Sequence, residues 1–64
     1  MKTKILLFPA VTGKSWGVST MMFPTEWFPN YRKALLEAIR LIGGPAVPHS
    51  IRRHESGKVT VEAL

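Results

Sequence analysis

The stretch "PAVTGKSWGV", residues 9 to 18, decides how this chain folds. Gly13-Lys14-Ser15, close behind the apolar run Ile5-Leu6-Leu7-Phe8, has the ending of a phosphate-binding loop. A loop of that kind opens a helix in a nucleotide-binding sheet, whereas a plain turn folds the chain back into a hairpin. The loop needs Gly-x-x-x-x-Gly-Lys-Ser, because its first glycine lets the backbone wrap its N–H groups round the phosphates. Phe8 stands at that first position. The loop must also run into a helix whose N-terminus faces the anion. Instead the chain continues as Trp16-Gly17-Val18-Ser19-Thr20, a strand-like run. A nucleotide-binding sheet also demands far more chain than 64 residues. The stretch is a turn, with Gly13 supplying a positive φ.

Outward from that turn, Thr3 to Phe8 read as one strand, short, apolar and ended by Pro9, and Ser15 to Met22 as its partner. In the second strand Trp16, Val18, Thr20 and Met22 alternate with Gly17, Ser19 and Met21. "FPTEWFPN", residues 23 to 30, is a connector punctuated by two prolines. Asn30, preferred over Thr25, caps the helix "YRKALLEAIRLI", residues 31 to 42. Its apolar stripe is Leu35, Ala38, Ile39 and Ile42 with Tyr31 one turn earlier, and Lys33, Glu37 and Arg40 lie opposite at pairing spacings. Gly43-Gly44-Pro45 ends it.

The last third reads as a second hairpin, in which Val47, His49, Ile51 and Arg53 alternate with Pro48, Ser50, Arg52 and His54. Glu55-Ser56-Gly57 turns, and Lys58, Thr60 and Glu62 then alternate with Val59, Val61 and Ala63. Pro48 suits an edge position. The order is ββαββ, an α+β class, and the economical architecture is an antiparallel sheet with the helix packed on one face. The other face is left partly uncovered, with Leu6, Phe8 and Met21 as candidates to line it. Two copies can pair on such a face, so a homodimer is one expectation.

The chain has 64 residues, enough for a single domain over residues 1–64. A domain this short buries only about 60% of the surface its unfolded chain exposes. It has no cysteine, so neither a disulfide framework nor a Cys-type zinc site supports it. The residues are 45% hydrophobic, which argues against disorder. Nine Lys and Arg against four Glu give a net charge of +5, a balance that favours anionic partners. Lysines before an apolar run give "MKTKILLFPAVTG" the look of a secretory signal, but Pro9 interrupts the run and Lys14 arrives early. No segment approaches the ~18 apolar residues of a membrane span. The expectation is a cytoplasmic protein without a membrane partner.

His54-Glu55 begins a metalloprotease-like His-Glu-x-x-His, yet Lys58 holds the second histidine's place. His49 and His54, five apart, fall on opposite faces of a strand and cannot jointly bind a metal. The four glutamates are scattered, and acid–base chemistry needs paired groups in a pocket. The expectation is a non-enzymatic chain with no metal and no cofactor.

Two stretches carry binding chemistry. "HSIRRHESGKV", residues 49 to 59, gathers Arg52, Arg53, Lys58 and two histidines on one hairpin. A two-stranded ribbon fits a major groove, and Arg contacts phosphate or guanine bidentately. Lys2, Lys4 and Lys14 extend this patch if the two hairpins lie side by side. "FPTEWFPNY", residues 23 to 31, places Phe23, Trp27, Phe28 and Tyr31 together. On a proline-stiffened loop, Trp27 and Phe28 would anchor a protein partner or stack on single-stranded bases. The leading expectation is a module that contacts nucleic acid or a nucleoprotein complex through Lys14, Arg52, Arg53 and Lys58. The alternative is a regulator or inhibitor docking on a protein through Trp27 and Phe28.

"KSWGV", the helix "KALLEAIRLI" and the closing "GKVTV" together resemble two groups of small proteins. One is the HicB-like antitoxin N-terminal domain and its small bacterial relatives; the other is the short α/β inhibitors that phages use against host enzymes. Where the HicB-like pattern has Asp-Leu-Pro-Gly before the helix, this chain has Phe23-Pro24-Thr25-Glu26. The phage inhibitors are typically acidic and this chain is basic. The resemblance implies a small regulatory fold and transfers no functional residue.

Overall fold

A computed structural model describes residues 3–20 and 22–64. Strand β1 (Lys4–Pro9) is followed by β2 (Trp16–Ser19), β3 (Glu26–Phe28), helix α1 (Tyr31–Leu41), β4 (His49–Arg53) and β5 (Val59–Ala63). The strands form one antiparallel sheet in the order β3-β2-β1-β5-β4, and α1 packs on one face of it against β1, β2 and β3. The α+β class read from the sequence is the class observed. One element is added: the connector between the two prolines contributes β3, which pairs Trp16 with Phe28 and Gly17 with Trp27. The helix and the loop after it thus carry the chain from one edge strand, β3, to the other, β4.

Both hairpin turns are closed as their sequences require. Gly13 N–H donates to Ala10 O (2.8 Å) and Ala10 N–H to Ser15 O (2.8 Å), with Gly13 at φ 74°. In the second turn Gly57 N–H donates to His54 O (3.0 Å) and His54 N–H to Lys58 O (2.9 Å). Asn30, in extended conformation, accepts from Lys33 N–H at 2.9 Å and so satisfies one of the free donors of the first helical turn. At the other end Gly43 N–H donates to Arg40 O and Gly44 N–H to Ile39 O, the two bonds of a Schellman termination.

The core lies between α1 and the sheet. Ile5, Leu7, Val18, Val59 and Val61 rise from the strands, and Ala34, Ala38 and Ile42 descend from the helix. Trp16, Phe28, Tyr31, Leu35 and Leu41 pack round this centre. The buried line therefore runs one position to the side of the expected stripe, and Leu35 flanks it. Two alanines at the centre let the helix backbone approach the sheet closely.

Candidate functional site

The pleat and the register sort every strand side chain onto one of two faces. Ile5, Leu7, Val18, Val59 and Val61 lie under the helix, so their alternates point to the face that carries no helix. Gly17 stands opposite both Phe8 of β1 and Trp27 of β3, and the three form a row across the sheet. The next row holds Ser19, Leu6, Thr60 and Arg52, and the row beyond holds Lys4, Glu62 and Ser50. Met21, expected beside Leu6 and Phe8, and Lys2, expected in the basic patch, lie outside the described residues.

The row through Gly17 is an aromatic platform. A Cβ on residue 17 would come within 2.7 Å of Phe8 Cζ, so the ring lies across the strand where only a glycine leaves room. Phe8 meets Trp27 edge to face, centroids 5.5 Å apart at 85°, the arrangement that aromatic quadrupoles favour. Trp27 remains 54% exposed. Phe28, the next residue, turns to the helix face and packs against the core. Trp27 and Phe28 are thus parted by the strand and do not make one docking anchor.

The basic hairpin is parted in the same way. Arg52 lies on the open face. Arg53 lies on the helix face, where its guanidinium carbon sits 5.6 Å from the centroid of the Tyr31 ring, itself tilted against Trp16 at 4.9 Å. Lys14 and Lys58 are both exposed, one in each hairpin turn. Antiparallel pairing of β1 with β5 puts the two turns at one end of the sheet, and Gly57 lies beside Pro9. The open face therefore carries Lys4 and Arg52 within it and Lys14 and Lys58 along one end. Lys4, Ser50, Arg52, His54, Thr60 and Glu62 line a shallow depression of about 120 Å³. His54 Nε2 lies 2.7 Å from Thr60 Oγ1, and Thr60, on the open face, is the one polar residue that is buried among the described residues.

His49 faces the other way and donates Nδ1–H to Val47 O at 2.6 Å. Among the described residues no three His, Cys, Asp or Glu side chains stand close enough to hold a metal ion. Gly13-Lys14-Ser15 runs into β2, not into a helix, so the phosphate-loop reading fails on geometry. Among the described residues no helix is long and apolar enough to cross a membrane.

Sequence reasoning singled out Arg52 and Trp27 but not the platform or the depression that surround them. Their signal was present. The alternation Lys4, Leu6, Phe8 in the first strand puts a cation, an aliphatic and an aromatic on one face, and Gly17 opposite Phe8 invites a ring to lie over it. Comparison of the chain with family models, curated proteins and solved structures gave no match in any of the three. The likeness to HicB-like domains and phage inhibitors therefore rests on the residues quoted for it.

Proposed function

We propose that this chain is a non-enzymatic module that binds single-stranded nucleic acid, free or within a nucleoprotein complex, on its open sheet face. One observation carries the reading: an aromatic pair packed edge to face, the half-buried Phe8 and the exposed Trp27, shares an uncovered face with Lys4 and Arg52. Aromatic platforms stack on bases of any sequence while neighbouring cations track the phosphates. The shallow surface suits an open strand better than an enclosed small molecule, which needs a pocket of about 300 Å³ or more. In this reading Arg52, Lys14 and Lys58 serve the phosphates, Trp27 serves a base, and Arg53 and Phe28 hold the fold.

The test is fluorescence anisotropy with labelled single-stranded and duplex oligonucleotides over a salt series. Single strands are expected to bind more tightly than duplex, with log affinity falling linearly in log salt. Trp27→Ala should weaken binding between about five-fold and a hundred-fold, the range set by loss of one stacked base. Arg52→Ala should weaken it and Arg53→Ala leave it unchanged. Salt-insensitive binding, or equal effects of the two arginines, overturns this reading.

A second reading is favoured by the exposure of Met22 (84%), Phe23 (64%) and Trp27 (54%), which lie close together in sequence. It makes the chain a regulator or inhibitor that docks Trp27 into a partner protein. Capture from lysate that survives nuclease and high salt, and is lost in Trp27→Ala, supports it.

A further inference from the structure

The register of the central and last strands gathers polar side chains that the sequence scatters as far apart as Lys4 and Glu62. Lys4 stands opposite Glu62, and Glu62 opposite Ser50; one step along, Thr60 stands opposite Arg52. His54, just past β4, is held by Thr60 through the 2.7 Å contact at Nε2. We infer that the depression these six side chains line is an oxyanion subsite that takes a phosphate group. The inference rests on the single-strand reading for its first source, the phosphodiester backbone; free inorganic phosphate is the second.

Charge supports this ligand class. Among the described residues the one ion pair is Glu37–Arg40 on the helix, so no carboxylate lies within salt-bridge distance of Lys4 or Arg52. Two cations against the single carboxylate of Glu62 leave the depression positive before His54 is counted. Arg52 presents a planar fork of N–H donors matched to two phosphate oxygens, and Ser50 adds a hydroxyl. The position supports it too. Phe8 lies on the same face, one strand over from Thr60 and one alternation further along, roughly 8 Å away by strand geometry. A base on the platform and a phosphate in the depression are then neighbours along one strand.

Glu62 makes the inference testable by sign. It is the one acid in the depression, so Glu62→Gln should tighten binding several-fold, whereas Arg52→Gln and Lys4→Gln should weaken it. Each lost phosphate contact should also flatten the salt dependence by about 0.7 in the slope of log affinity against log salt. The variants would be titrated with labelled oligothymidylate, and the ¹⁵N-labelled full chain with oligothymidylate and, separately, inorganic phosphate. Amide shifts at Arg52, His54 and Thr60 with the oligonucleotide alone assign the backbone as source; shifts with inorganic phosphate assign a free anion. If oligothymidylate binds and Arg52→Gln weakens it, but Glu62→Gln and Lys4→Gln change neither affinity nor slope, the subsite falls and the single-strand reading stands; if Arg52→Gln is also without effect, both fall. If oligothymidylate does not bind, the single-strand reading falls, and inorganic phosphate alone decides the subsite: shifts support it, their absence overturns it.

Discussion

At the scale of single residues, Gly17 does most to shape the open face, because it gives the Phe8 ring a floor. Gly17→Ala would drive a methyl into that ring and bring it 3.1 Å from the Thr25 methyl. Overfilling a packed site commonly costs about 1–3 kcal/mol. Here the low end is expected, since Phe8 lies on an uncovered face and its ring tip is free to swing outward. The fold should survive while the Phe8–Trp27 contact is lost, which nuclear Overhauser effects between the two rings would register directly. A chain that melts far below the parent would show instead that this ring is held as firmly as the core. The two arginines carry a related lesson. Alternation in the sequence already separates residue 52 from residue 53, so their split was legible. Charge counting, which treats neighbours as a patch, hides it.

Among the elements, α1 is the one whose ends and surface are most fully specified by sequence. Asn30→Ala should cost about 1 kcal/mol, the usual worth of a polar N-cap. In a domain of this size that lowers the melting temperature by about 4–8 °C. On its solvent side Arg40 donates to Glu37 through Nε (2.7 Å) and Nη2 (2.5 Å). The hydrogen bonds from Arg40 hold the Glu37 carboxyl below the ordinary carboxylate range; they outweigh the opposing effect of burial, and the Arg40 charge adds a lesser contribution in the same direction. A carboxyl lowered on folding adds stability above its unfolded pKa and loses it as pH falls through the folded value. The difference in melting temperature between wild type and Glu37→Gln should therefore be small at neutral pH and vanish in acid. It stays small because Arg40 is largely exposed and solvent screens the pair. The helix was legible through its cap, its period and its glycine stop. The strand β3 was not, because three residues between prolines give too little alternation to register. With β3 unread, Trp27 and Phe28 looked like neighbours on a loop, when pairing with β2 sends them to opposite faces.

For the molecule as a whole, what matters is how the sheet is closed. Strand β5 lies between β1 and β4 and supplies Val59 and Val61 to the core, so removing residues 59–64 should abolish cooperative unfolding altogether. Loss of the circular dichroism transition would show it, and a residual transition would mean that the first hairpin and helix stand alone. Ala63 N–H donates to Thr3 O at 3.0 Å, so the first and last strands meet as the two arms of a hairpin would, without a turn to join them. Taken across the sheet from the far edge, the strands run β4, β5, β1, β2, β3. Joined by a short linker from Leu64 to Thr3 and opened between Gly44 and Pro45, the chain becomes an uninterrupted meander followed by its helix. Every strand would then pair with its sequence neighbour, and the one long-range closure in the sheet would become local. Folding rates rise as contacts become more local. The circular permutant should fold faster than the parent at similar stability, a comparison stopped-flow refolding would make directly. The helix, in that view, is the strap by which an open meander was rejoined at its edges.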